Sequence, residues 1–264
     1  MRFVHLADTH LGFSAYTRID SITGMNLREK QVYDNFLTGI EQIADLAPDA
    51  VIHAGDLFHY VKPKTVAMVV ALEALDILTE LDIPVIGIAG NHSMPKTRYT
   101  RSAFDVLKHH PGKILFANQL IYQSTTVDDA TFHLIPNMLT PIQNQIEFKK
   151  IGLDPTTTNV LVMHGLAPNI ARLNTVAEQE ITPGMLDPRF EYIALGHIHN
   201  QQEVIPNVWY AGSQEYCTYG EVRDTKGGLL IEVEQGEPAR VTHLDLPHTP
   251  MIELPTIDAT EMTA

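Results

Sequence analysis

Side chains able to hold divalent metal ions recur at five places along the chain. They are Asp8 and His10 in ADTHLG, Asp56 in HAGDLFH, Asn91 and His92 in AGNH, His164 in MHG, and His197 with His199 in GHIH. Imidazole, carboxylate and amide oxygen suit borderline to hard divalent ions such as manganese, iron or zinc, and no thiolate stands among them. Asp56 lies between two histidine-containing groups, a natural place for a carboxylate that bridges two ions about 3.5–4 Å apart. Gly55, Gly90, Gly165 and Gly196 each adjoin a ligand, as tight turns that bring backbone close to metal or phosphate require. Taken singly, each piece has a plainer reading: Asp8 as a helix cap, Asp56 as a turn residue, His164 as a satisfied core histidine. Together, and each at the end of an apolar run, they point to a two-metal hydrolytic centre.

Something must bring these scattered residues together. Short apolar runs at 3–7, 50–54, 85–89, 159–163 and 192–195 are each followed by Gly, Asp, Asn or His, the pattern of buried strands whose C-terminal ends feed loops. Val32, Phe36, Ile40 and Ile43 repeat at helical spacing within 27–46, and a second helix is predicted over 65–81. Strand, helix, strand, helix, strand implies a largely parallel layer, which collects strand ends along one edge. The runs at 120–124, 131–136, 203–210, 228–233 and 240–246 alternate more and lack intervening helices, which predicts a second, mixed sheet. The expected architecture is α/β, with two face-to-face mixed sheets flanked by helices. Residues 1–246 form one domain in this reading, and 247–264 lose periodicity and read as a C-terminal linker, leading to a domain outside this chain.

The helix over 65–81 is apolar around most of its circumference, leaving Glu73, Asp76 and Glu80 as a narrow polar stripe. A helix packed only on its own sheet needs one apolar face. The surplus is covered either by a homodimer contact or by another helix of the chain, over 100–109.

Composition bounds the partners. The chain of 264 residues has one cysteine, Cys217, which excludes a disulfide framework and suits a reducing cytoplasm. It has no apolar run of membrane-spanning length and no signal peptide. The net charge of −14 argues against nucleic-acid binding through a uniformly basic surface. Residues 1–113 hold 11 basic and 13 acidic side chains, however, and 114–264 hold 7 and 19, so the acidity lies mostly in the second half. Lys96, Arg98, Arg101, Lys108 and Lys113 form a locally basic stretch, read either as a solvated surface or as a phosphate-contacting patch. His5 and His53 precede the first two ligand groups and read either as donors that orient them or as packing. His109, His110, His133, His243 and His248 read as surface or packing residues, and Trp209 with Tyr210 as core.

The ordered set DxH, GDxxH, GNH, HG and GHxH resembles the calcineurin-like metallophosphoesterase superfamily over residues 1 to about 246, which implies a four-layer α/β/β/α sandwich. HLADTHLGFSAY, the segment 26–30 (NLREK), VIHAGDLFH and the GSQE turn at 212–215 are similar to the SbcD-type nuclease subunit, counterpart of the "meiotic recombination eleven" nuclease. The resemblance implies one ion on Asp8, His10, Asp56 and His199 and a second on Asp56, Asn91, His164 and His197. His59 and His92 are then catalytic histidines that bind no metal, His92 acting on the leaving oxygen and His59 steadying the phosphate or His92. Ser93 departs from the pattern, since many relatives carry an acidic residue after GNH. The function implied is a manganese-dependent DNA exonuclease and endonuclease acting at broken ends in double-strand break repair, dimeric and partnered by an SMC-like ATPase of the SbcC type. A phosphatase or cyclic-nucleotide phosphodiesterase would use the same chemistry. A non-catalytic scaffold would be expected to have lost ligands, and all seven positions are filled.

Overall fold

The computed structural model describes residues 1–95, 101–168 and 180–255. The first sheet places β1 (Arg2–Leu6), β2 (Ala50–His53), β3 (Val85–Ile88) and β4 (Ile114–Ala117) side by side in parallel. The second runs through β5 (Gln123–Val127), β6 (Ala130–Ile135), β7 (Thr158–His164) and β8 (Tyr192–Gly196), then β10 (Val208–Tyr210) and β9 (Gln202–Ile205). Two further strands, β11 (Gly228–Glu232) and β12 (Arg240–Leu244), complete the first sheet, with β11 antiparallel to β1 in the register Arg2↔Glu232. Among the described residues both sheets have six strands and both are mixed.

The face-to-face arrangement agrees with the sequence reading, but the allotment of strands differs. Residues 228–232 and 240–244 extend the first sheet rather than the second, and β7 and β8 are central to the second sheet. Apolar patterning marks a strand as buried and says nothing of which sheet receives it; here β11 covers the edge of β1 that would otherwise stand open. The run 203–210 is a hairpin rather than one strand, broken where Asn207 adopts a φ of 66°, a conformation that asparagine tolerates.

Strand alternation divides the core into layers. Phe3, Ile52 and Ile86 meet Phe132, Val160, Val162 and Tyr192 between the sheets, with Phe3 and Phe132 edge to face at 5.6 Å. On the outer face of the first sheet, Val4, Val51 and Val85 pack under α1 (Leu27–Asp45) and α2 (Thr65–Glu80). The Asn26 side chain caps α1 by accepting from Glu29 N at 3.1 Å. A single turn, α3 (Phe104–Leu107), adds Phe104 and Leu107 to that layer. On the outer face of the second sheet, Leu161, Met163, Ile193 and Leu195 pack with Met185, Phe190 and Phe148, the last residue of α4 (Pro141–Phe148).

Leu246 is the last core residue among those described. Beyond it Gln214 Nε2 donates to Pro247 O at 2.7 Å and Thr249 N donates to Glu215. Residues 256–264 of the expected linker lie outside the described residues.

Candidate metal centre

The C-terminal ends of β1, β2 and β3 from one sheet and of β7 and β8 from the other open at the same edge. The first sheet supplies Asp8, His10, Asp56 and Asn91, and the second His164, His197 and His199. The loops are laced by backbone hydrogen bonds: Asp8 N to Gly55 O (3.0 Å), His10 N to Asp56 O (3.0 Å) and Gly165 N to Gly196 O (3.2 Å). Asp8, His10, Asp56 and His197 all take positive φ, at 51°, 51°, 55° and 106°. Such backbone costs a non-glycine residue about 1–3 kcal/mol and persists where the surroundings over-determine it. Three of the glycines are required by close approach. A Cβ on Gly55 would fall 2.2 Å from His164 Nδ1, one on Gly90 2.3 Å from Asp56 Oδ1, and one on Gly196 2.1 Å from Ala54 O.

Second partners fix the rings. His164 Nδ1–H donates to Ala54 O at 2.8 Å, which leaves Nε2 facing Asn91 Oδ1 at 3.0 Å and Asp56 Oδ2 at 3.3 Å. Asn91 Oδ1 also meets His197 Nδ1 at 3.1 Å. His10 Nε2 and His199 Nε2 point at one another across 3.0 Å. Asp8 Oδ2 accepts from His197 N at 2.8 Å, whereas Asp8 Oδ1 is buried without a hydrogen-bond partner. His59 and His92 stack at 5.3 Å beside His10. His92 Nδ1–H donates to His59 O at 2.9 Å, and His92 N donates to Asp56 Oδ1 at 2.8 Å.

The donor set fits divalent metal. Asp8, His10 and His199 converge, as do Asp8, Asp56 and His164, each set with one donor atom per residue within 4.8 Å of the others. An orphaned carboxylate oxygen and two imidazole nitrogens aimed at each other are arrangements that a cation relieves. The local field has the same preference. Burial alone would raise Asp56, but His164, His10 and His92 outweigh it and hold the carboxyl well below its usual range. Burial alone would lower His164, yet Asp56 and Asp8 lift it to about 9. Burial keeps His10 well below its ordinary value and brings His197 down to about 4.

All nine predicted site residues thus share one pocket of the fold, with His59 and His92 beside His10 rather than inside either carboxylate cluster. Both clusters contain Asp8, which makes it a second candidate for the bridging role expected of Asp56. Ser93 Oγ is buried without a partner, and the His59 carbonyl orients His92 instead. His53 meets the first loop through Thr9, its Nε2 lying 2.7 Å from the hydroxyl between Asp8 and His10. His5 contacts Tyr192 OH at 2.9 Å and no ligand. Tyr210 is core, as expected, and its hydroxyl also donates to Gly165 O at 2.8 Å behind His164. In the basic stretch, Lys96 and Arg98 lie outside the described residues. Lys113 pairs with Asp82 at 2.6 Å and Lys108 donates to Asn118 Oδ1 at 2.5 Å.

Sequence reasoning missed the surroundings of His199. Its Nδ1–H donates to Glu221 Oε1 at 3.1 Å, and the Cys217 thiol lies alongside. Thr218 and Glu221 do show a capping-box spacing, which flags a short helical turn and gives no hint of a histidine more than twenty residues earlier. Two segments singled out separately prove to be partners: Arg28 of NLREK donates to Glu215 of GSQE at 2.6 Å, both buried.

Two sheets sandwiched between helices, with an N/O donor set at their common edge, define a metal-dependent hydrolase. The calcineurin-like phosphoesterase family model matches residues 1–201, and the chain belongs to that family. It is 30% identical over 242 residues to the "DNA double-strand break repair protein Mre11" of Methanocaldococcus jannaschii, covering 86% of this chain and 60% of that protein. The protein of that name from Methanococcus maripaludis is 32% identical with the same coverage. An SbcCD nuclease subunit of Staphylococcus saprophyticus is 27% identical, covering 98% of this chain and 72% of the relative. The chain spans about three-fifths of the length of the archaeal relatives. Among the described residues no helix is long and apolar enough to cross a membrane.

Proposed function

We propose that the protein is a manganese-dependent DNA nuclease that hydrolyses phosphodiester bonds at broken ends. The observation that carries this is the convergence of seven N/O donors from two sheets, with two further histidines beside them, in a chain similar to repair nucleases over most of its length. In this reading Asp8, His10, Asp56 and His199 hold one ion and Asp56, Asn91, His164 and His197 the other. When bound, such a pair supplies Lewis acidity toward a phosphate oxygen and a nucleophilic water. The residues do the rest: His92, its Nδ1 proton committed to a carbonyl, offers Nε2 to the leaving oxygen, and His59 steadies it by stacking.

The test is incubation with end-labelled single- and double-stranded DNA, a cyclic nucleotide and p-nitrophenyl phosphate, each with manganese or magnesium. DNA shortening that is faster with manganese is expected. Turnover of the small esters with intact DNA overturns the nuclease reading in favour of a phosphatase or cyclic-nucleotide phosphodiesterase.

The proposal extends to assembly: a homodimer through α2 and an SMC-like ATPase partner of the SbcC type, in a reducing cytoplasm. Residues 1–246 are the catalytic domain in this reading and 247–264 the linker. Part of the surplus apolar face of α2 is covered within the chain, since Phe104 and Leu107 join its core layer and His110 Nε2 meets Asp76 at 2.9 Å. Val66 and Val69 remain 41% and 46% exposed on one side of the helix. Light scattering at tens of micromolar should report a dimer, and Val69→Asp should convert it to a monomer with metal content unchanged. A monomeric wild type refutes the dimer.

A further inference from the structure

Among the described residues, the one carboxylate that touches a candidate ligand histidine from outside the centre is Glu221, and its surroundings are more elaborate than a capping residue needs. Oε1 accepts from His199 Nδ1, Thr218 N and Thr218 Oγ1, each at 3.1 Å. Oε2 accepts from Cys217 N at 3.1 Å and from Lys226 Nζ at 2.7 Å. The Lys226 side chain is wholly buried, and its Nζ also donates to Ser213 Oγ at 2.9 Å and to His199 O at 3.2 Å. The Tyr216 ring lies 5.0 Å from the same ammonium. His199 is therefore held at its ring by Glu221, with the Cys217 thiol alongside, and at its carbonyl by Lys226.

A capping box requires only that the acid reach the first backbone N–H groups of its turn, which a carboxylate at the solvent rim can do. Burying an ammonium and a carboxylate together is weak evidence for stability, because desolvation offsets most of their attraction. A carboxylate on the far nitrogen of a ligand histidine has a different effect. It fixes the tautomer and the ring angle and makes the near nitrogen a stronger donor. Two histidines of the second sheet differ here: the Nδ1–H of His164 goes to a neutral carbonyl, Ala54 O, whereas that of His199 goes to a charged carboxylate.

We infer that Glu221 is a positioning residue of the metal centre, with Lys226 as its anchor. It presents His199 Nε2 to the ion shared with Asp8 and His10, and that ion alone depends on it. The inference rests on the proposed reading of His199 as a ligand. It adds that the two halves of the centre are supported unequally.

Two double variants isolate the hydrogen bond from the buried charge. Glu221→Leu with Lys226→Met removes both charges and the acceptor, while Glu221→Gln with Lys226→Met removes the charges and keeps an acceptor for His199. Manganese binding to each chain is followed by calorimetry and by the electron paramagnetic resonance of free Mn2+. Wild type should bind two ions, and the Gln/Met variant, which keeps an acceptor without the charge, should bind the ion at His199 with an affinity between those of wild type and the Leu/Met variant. The Leu/Met variant should bind one ion as wild type does and the other about 10–100-fold more weakly, the usual consequence of removing such a partner. Equal affinities in the two double variants overturn the inference. A wild type that fails to bind two ions overturns the metal-centre reading itself, and this inference with it. Should the Leu/Met chain not fold, nitrogen-15 correlation of the His199 ring in the zinc-loaded wild type decides, with a proton on Nδ1 expected and a proton on Nε2 fatal.

Discussion

Asp56→Ala is expected to leave the folded protein without either ion and to lower DNA cleavage by at least about a thousandfold, since Lewis-acid stabilisation is worth several kcal/mol at the transition state. Its carboxylate is tied on both sides: Oδ1 accepts from His92 N at 2.8 Å and Oδ2 faces His164 Nε2 at 3.3 Å. Removing it also takes away the buried negative charge that draws cations to His164 and His10. Elemental analysis of the purified variant, with circular dichroism as the control for folding, checks the result. Two ions still bound would refute the bridging role. One ion retained in Asp56→Ala, with none in Asp8→Ala, would transfer that role to Asp8, which belongs to both donor clusters and whose Oδ1 has no other partner.

The convergence of the candidate ligands was legible because metal chemistry restricts residue type and because a parallel strand delivers its C-terminal residue to a predictable edge. Asp8, Asp56 and Asn91 were readable as strand ends from the runs before them, and the helices of the first sheet from the spacing of Val32, Phe36, Ile40 and Ile43. The allotment of strands to sheets was not readable. Leu229 and Ile231 are buried in the inter-sheet core, a pattern they would show in either sheet, and only pairing with β1 decides between them. Support of the ligands was illegible for a related reason. Glu221, Lys226 and the Ala54 carbonyl act on histidines far away in sequence, and their residue types have commoner uses at caps, surfaces and strand ends. The orientation of His92 by a backbone carbonyl leaves no trace in residue type at all.

The division of the site between two sheets has a mechanical consequence. The donors of the first sheet and those of the second meet only across the inter-sheet core, so their spacing depends on how Phe3, Ile52, Phe132 and Tyr192 pack below them. That core is closely filled, with Phe3 in edge contact with both Phe132 and Tyr192. Packed interiors deform little and hold such spacings rigidly. The strained residues Asp8, His10, Asp56 and His197 therefore sit on a stiff base, as a preorganised donor set requires.

His92→Ser is expected to keep both ions and DNA binding while lowering cleavage of DNA by about two to four orders of magnitude, the usual worth of a positioned proton donor. The geometry separates His92 from its neighbour: Asn91 Oδ1 lies between His164 and His197, whereas the His92 ring lies over His10 and commits Nδ1–H to the His59 carbonyl. Nε2 is thus the ring atom that, in the imidazolium form, gives its proton to a departing oxygen and is left as a neutral Nδ1–H imidazole. A donor of this kind matters in proportion to the basicity of the group it protonates. The loss should therefore be large for a deoxyribose oxygen and much smaller for a p-nitrophenyl ester, whose phenolate leaves without help. Comparing the two substrates in wild type and His92→Ser, with ion content measured in both, distinguishes a proton donor from a ligand or a packing residue. Equal losses on the two substrates, or near wild-type cleavage of DNA at neutral pH, would remove His92 from the chemistry.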